Sequence, residues 1–227
     1  KLRSISNPRG KAVAIQALKR FLEKNFEEIV EGSETFEAHY RWADKMNLKN
    51  NQYQVRPTVH EIYFYKNRDS GRQLKRLMRE REKLRTKARR NSKPEMGGIQ
   101  FAYPEEFNDK WIIDMGKLLG YPECCSKRYS KDRISGINVE ARAANQLTEK
   151  INNDIPVDPH VYLLSYFFPC KPSCKNALNM GLSWDEKLGD YDPRIASLYR
   201  EQLKDNLKMV LKQPELIQRY VNQINTT

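Results

Sequence analysis

Histidine is scarce in this sequence: three residues, His39, His60 and His160, stand scattered along 227, so no His-Glu metal motif can be built from them. Long apolar runs are also missing. The longest greasy stretch, Val161 to Phe168, is broken by Ser165 and is far shorter than the roughly 20 residues that cross a bilayer, so no membrane partner is expected. There is no Gly-rich phosphate loop and no nucleophile elbow, and nothing compels a hydrolase or a transferase. The acidic pairs Glu105/Glu106, Asp185/Glu186 and Asp190/Asp192 fall near expected helix boundaries, where acids cap N–H groups or favour the helix dipole, so capping is their expected role. Internal repeats and low-complexity tracts are absent too.

What is present suffices for a fold. Hydrophobic residues make up 39% and aromatics 10%, too much for a disordered chain and enough for a core in one large domain or two small ones. The chain begins with Lys1 rather than Met, which leaves room for a removed targeting segment. The cytoplasm is the expected compartment.

The net charge of +12 is concentrated. Between Gly71 and Lys93 there are eleven basic residues against Glu80 and Glu82, so 23 residues hold +9 and the other 204 share +3. Within this segment Leu74, Leu77, Met78, Leu84 and Ala88 fall on one face of a helix. Ordinary solvated helices alternate charge sign, and this one hardly does. Arg72, Lys75, Arg76, Arg79, Lys83, Arg85, Lys87, Arg89 and Arg90 are therefore candidate contacts to the phosphates of a nucleic acid. RNA is favoured over DNA because no helix-turn-helix or finger pattern occurs. A ribosome or an acidic protein would also suit the charge.

Periodicity predicts a mostly helical α+β protein. Asn7-Pro8 opens a helix ended by Gly32, a second short helix covers Phe36 to Met46, and Asn47 to Gln52 reads as a loop. Thr58–Tyr65 and Ile99–Tyr103 have the β-branched and aromatic bias of strands flanking the basic helix. Later helices are expected around Phe107–Leu119 (ended by Gly120), from Pro122, over Val139–Ile151, Pro159–Phe168, Pro172–Leu188 and Pro193–Leu211, with a last short one from Pro214. This predicts an N-terminal helical and basic region over 1–95 and a C-terminal helical bundle over 96–227, or one continuous domain.

The four cysteines are the strongest chemical signal. They fall as Gly-Tyr-Pro-Glu-Cys-Cys, ending at Cys124 and Cys125, and Pro-Cys-Lys-Pro-Ser-Cys, holding Cys170 and Cys174. Each pair lies at a proline-started helix, where free N–H groups and the positive dipole end stabilise a thiolate. Two such starts facing each other would make a four-thiolate pocket for zinc or an iron–sulfur cluster. Neighbouring cysteines point apart in most backbone conformations, which favours a cluster with separate irons over one zinc. One or two disulfides could tie the segments instead, closing a loop for about 4 kcal/mol, or the thiols could serve as small buried apolar groups. His160 is expected on a helix surface rather than among the ligands.

The same residues carry a resemblance. Leu-Gly-Tyr-Pro-Glu-Cys-Cys followed by Pro-Cys-Lys-Pro-Ser-Cys resembles an uncharacterised prokaryotic, largely archaeal family of unknown function that pairs Gly-Tyr-Pro-x-Cys-Cys with Pro-Cys-x3-Cys, here over roughly residues 110 to 185. The resemblance carries over Gly120, Tyr121, Pro122, Cys124, Cys125, Pro169, Cys170 and Cys174, and implies no settled activity. It implies a histidine just before the second element, where this chain has Phe168. The residues together predict an RNA- or ribonucleoprotein-binding protein with a four-cysteine structural site. The alternative is an iron–sulfur redox enzyme or electron-transfer protein with a basic docking helix.

Overall fold

The computed structural model describes residues 7–56, 59–91 and 103–225. The chain divides into two compact units, Lys1–Gln73 and Leu74–Thr227. As the sequence predicted, helices dominate, and among the described residues the sheet is a small two-stranded one.

In the first unit, α1 (Pro8–Glu31) starts where Asn7 Oδ1 accepts from the backbone N–H of Arg9 at 3.0 Å. Its Val13, Ile15, Leu18 and Phe21 remain exposed. Ser33 caps α2 (Glu34–Lys45) by accepting from the N–H of Phe36. Two antiparallel strands follow, β1 (Lys49–Arg56) and β2 (Val59–Tyr65), with Lys49 opposite Tyr65 and Gln52 opposite Ile62. β2 is the strand expected at Thr58–Tyr65. β1 corrects the loop reading of Asn47–Gln52 from Lys49 onward, while Asn47 and Leu48 remain outside the strand. The polar run extends because its partner is the next segment of chain, and cross-strand pairs support it: Tyr65 OH donates to Asn51 Oδ1 at 2.9 Å, and the Tyr53 and Tyr63 rings meet edge to face at 6.0 Å. The described strand pair therefore precedes the basic helix. The strand expected at Ile99–Tyr103 lies outside the described residues except for Tyr103.

The basic segment forms α3 (Arg68–Arg90). Its stripe faces inward as expected, with Leu74, Leu77, Met78 and Ala88 buried and Leu84 half-buried. Within the second unit, Trp111 Nε1–H donates to the Leu77 carbonyl of α3 at 3.1 Å. Arg85 is also buried, which removes it from the exposed face. Its guanidinium grips the Glu105 carboxylate, Nε at 3.1 Å from both oxygens and Nη2 closer still. Glu105 was expected as a helix cap. It is 3% exposed and serves as counter-ion instead, since a buried arginine needs a paired charge.

Glu105 stands on a short 3₁₀ turn, Pro104–Phe107, which leads into α4 (Asp109–Leu118), capped by Asn108. Gly120, at φ +78°, ends that helix, and the N–H of Tyr121 closes onto the Gly116 carbonyl at 2.8 Å. There follow α5 (Glu123–Ile134), α6 (Val139–Asn152), a 3₁₀ turn (Pro159–Tyr162), α7 (Lys175–Tyr191) and α8 (Pro193–Asn225). The core gathers Val139, Ala143 and Leu147 of α6, Tyr162 of the turn, Leu163 and Phe168 after it, Ala177 of α7 and Val210 of α8. Cys125 and Cys174 belong to the same core.

Three boundaries differ from expectation. The helix predicted over Pro159–Phe168 stops at Tyr162, and Tyr166 adopts φ +60°, a left-handed conformation no helix interior accepts. Pro172 does not start α7, which begins at Lys175 with Cys174 as its N-cap. Pro214 opens no separate helix: α8 runs through it, with Leu203, Val210 and Gln213 buried along one face. Burial of that face outweighs the hydrogen bond the proline cannot make. Among the described residues no helix is long and apolar enough to cross a membrane.

Candidate metal centre

The four cysteines converge. Pro122 is the N-cap of α5, which places Cys124 and Cys125 in the first turn. Cys170 sits in the segment leading to α7, and Cys174 caps that helix with an extended backbone. Their sulfurs all lie within 4.8 Å of one another. Cys124 and Cys174 are 3.6 Å apart, Cys125 and Cys174 3.7 Å, and the adjacent Cys124 and Cys125 3.9 Å. Chain neighbours were expected to point apart. A helix first turn has no such effect here, because both side chains lean toward the helix start, where Cys174 waits. All four cysteines are free thiols in the structure, so no disulfide forms the clasp.

Four thiolates at the ~2.3 Å distance usual for zinc stand ~3.8 Å apart at the corners of a tetrahedron. The measured separations bracket that value. Two N–H donors already point at the sulfurs. The backbone N–H of Cys170 donates to Cys125 Sγ at 3.4 Å, and Asn176 Nδ2–H donates to Cys124 Sγ at 3.5 Å. Cys125 and Cys174 are buried, whereas Cys124 and Cys170 are partly open to solvent.

Crowding shapes the acidity of the group. Burial, helped by the charges of the other sulfurs, pushes the Cys125 thiol far up, against the Cys170 N–H that favours its thiolate. Burial and the nearby Cys174 and Cys124 push Cys170 up to about 11. At Cys124 burial also opposes the thiolate, but hydrogen bonds from Asn176 and the other three cysteines bring the pKa down. Four thiolates this close repel one another unless a cation sits among them. A divalent ion would supply that charge and release the protons.

Arg72, Lys75, Arg76, Arg79, Lys83, Lys87, Arg89 and Arg90 are exposed along α3, and Arg85 is not. Arg72 pairs with Asp69, Arg76 lies 3.9 Å from Asp114, and Arg89 lies 3.5 Å from Glu82. Among the described residues no carboxylate is paired with Lys75, Arg79, Lys83, Lys87 or Arg90. His160 is not a ligand: its ring lies between Asp158, 2.7 Å from Nδ1, and Asp185, 3.2 Å from Nε2. Phe168 is buried in the core.

Sequence reasoning missed Asn176, Asp132 and Arg142. Asp132 of α5 is 1% exposed and accepts from Arg128 Nε at 2.8 Å and Arg142 Nε at 2.9 Å. Arg142 Nη1 also donates to the Pro169 carbonyl at 2.6 Å. A signal for Arg142 existed. It falls on the apolar face of α6, between Val139 and Ala143, where a cation needs a buried partner.

Fold and site together define a predominantly helical α+β protein with a four-cysteine cluster able to hold a metal ion. Over residues 98–204, which include all four cysteines, the chain matches the model of a family described as a protein of unknown function, DUF483. An uncharacterized protein of Methanothermobacter thermautotrophicus is 32% identical over 99 residues, 43% of this chain and 49% of that protein. One of Methanocaldococcus jannaschii is 29% identical over 97 residues, 42% and 50% of the two chains. The chain thus spans about half the length of the curated relatives it matches. No solved structure matches it.

Proposed function

We propose that this chain is an RNA- or ribonucleoprotein-binding protein whose helical unit is closed by one structural zinc ion held by Cys124, Cys125, Cys170 and Cys174. The observation that carries the metal reading is the sulfur geometry: four Sγ atoms within 4.8 Å of one another, three of their separations near a tetrahedral edge. A four-iron cluster binds each thiolate to a different iron and a two-iron cluster binds two thiolates to each iron; either spreads the sulfurs further apart than one ion does, so the compact set favours a single ion. Four protein ligands leave no open position for water or substrate, which is the arrangement of a structural site and not of a catalytic one. When bound, the ion supplies a positive charge and a cross-link between α5 and the start of α7. RNA binding is supported by five exposed cations of α3, Lys75, Arg79, Lys83, Lys87 and Arg90, which have no carboxylate partner among the described residues and can displace counterions from a phosphate backbone.

Elemental analysis of the protein purified without chelator tests the metal. One equivalent of zinc in a colourless protein is the expected result. A brown, iron-containing protein would replace this reading with the redox alternative, and a chain that stays metal-free after zinc loading would refute it.

A further inference from the structure

The peptide unit joining Pro169 to Cys170 is held at both ends. Its carbonyl accepts from Arg142 Nη1 at 2.6 Å, and its N–H donates to Cys125 Sγ at 3.4 Å. In a planar trans peptide these two groups point in opposite directions, so the group that fixes the carbonyl also aims the N–H. Arg142 is itself held. Its Nε donates to Asp132 Oδ2 at 2.9 Å and its side chain is 8% exposed, while Asp132, also bonded by Arg128, is 1% exposed. The chain of contacts runs Asp132, Arg142, the 169–170 peptide, the Cys125 sulfur. It joins α5, α6 and the segment carrying Cys170, three elements that supply or support three of the four thiols.

The geometry points to Arg142 as a positioning residue for the metal centre: by gripping the Pro169 carbonyl it places the Cys170 thiol and aims the Cys170 N–H at Cys125 Sγ. This rests on the metal reading above. The physical case has three parts. A buried arginine–carboxylate pair stabilises little by itself, since desolvation cancels much of the attraction, so its value here lies in geometry. The guanidinium is a planar fork with donors in fixed directions, which lets one side chain meet a carboxylate and a carbonyl at once. A charge-assisted bond at the carbonyl also polarises the peptide and strengthens the N–H donor at its other end. Groups that orient metal ligands in this way change metal affinity by about 10–100-fold when removed.

The test uses the full chain as wild type, Arg142→Ala, Arg142→Lys and Asp132→Asn, each loaded with zinc and, separately, with cobalt(II). The readouts are zinc loss to excess chromophoric chelator and the thiolate-to-cobalt charge-transfer band. Arg142→Ala should lose zinc about 10–100-fold faster, and its band should fall by about a quarter if Cys170 leaves the ion, three thiolates remaining of four. Arg142→Lys, which can reach the carbonyl or the carboxylate but not both, should lie between. A purely structural contribution would lower the melting temperature of apo and loaded protein alike and leave the cobalt band unchanged; that result overturns the proposal. If Arg142→Ala does not fold, Arg142→Lys and Asp132→Asn decide: wild-type release rates and band in both overturn it, and faster release with a weaker band supports it. A wild type that binds neither ion overturns the metal reading itself, a failure distinct from variants that hold metal as tightly as wild type.

Discussion

Neutralising two cations in the middle of α3 should change how RNA binding responds to salt by an amount the structure sets. Lys75, Arg79, Lys83, Lys87 and Arg90 are exposed and carry no carboxylate partner among the described residues, whereas Arg72 and Arg89 lie against Asp69 and Glu82. Each phosphate neutralised on a single strand contributes about 0.7 to the slope of log K against log salt, so five free cations predict a slope of about −3.5. The double substitution Lys83→Gln/Lys87→Gln leaves three and predicts about −2.1. Between 50 and 200 mM salt the wild type should then lose ~100-fold in affinity and the variant ~20-fold. Glutamine keeps helix propensity and both sites are exposed, so stability should move by less than about 0.5 kcal/mol. Fluorescence anisotropy with a labelled single-stranded RNA, titrated at four salt concentrations, reads both slopes. Parallel slopes for the two proteins, or a wild-type slope near zero, would refute the role assigned to α3.

Cys174→Ser removes a buried ligand and should abolish stoichiometric zinc; chelator should lower the melting temperature of wild type and leave this variant unmoved. Glu105→Gln removes the carboxylate charge that faces the buried Arg85 guanidinium and should cost about 3–5 kcal/mol in urea unfolding, while Arg85→Met/Glu105→Leu should recover most of it; a single-variant loss below about 1 kcal/mol would show the pair to be solvated. Gly116→Ala puts a Cβ 2.2 Å from Ser126 Oγ, so α4 and α5 must separate, at about 1–3 kcal/mol, and zinc should be lost faster because Ser126 follows Cys125; an unchanged unfolding midpoint would deny that the helices are locked there. At Asp185 burial works against the carboxylate, yet hydrogen bonds from Arg200 and His160 hold its pKa below the usual range. A depressed carboxyl contributes stability that is present above the unfolded pKa of about 4 and is lost as pH falls through the folded value. The stability gap between wild type and Asp185→Asn should therefore be open at pH 5 and close toward pH 2, and a gap that persists in acid would contradict this.

Local signals were legible where local physics decides. Asn7 and Gly120 marked helix ends because a side-chain cap and a left-handed glycine act within one turn of backbone, and Gly32 directly follows the last residue of α1. Leu74, Leu77 and Met78 announced the buried face of α3 through their spacing. Readings failed where a distant partner decides. Lys49–Gln52 looked like part of a loop until β2 gave it a ladder, Arg85 looked like one more surface cation until Glu105 arrived from 20 residues away, and the apolar run to Phe168 looked helical although the helix stops at Tyr162 and Tyr166 turns left-handed.

The cysteines divide in the same way. Their number, their two clusters and their place beside prolines are properties of the chain, and they were enough to expect that the pairs meet. Which sulfurs approach within 3.6 to 3.9 Å, that none is bonded to another, and that Asn176, Arg142 and Asp132 stand behind them were decided by tertiary structure alone. Helix and turn formation are governed by neighbours a few bonds away, so composition and spacing reveal them. The metal geometry depends on how α5, α6 and the segment before α7 pack around a shared core, and that packing is a property of the folded whole.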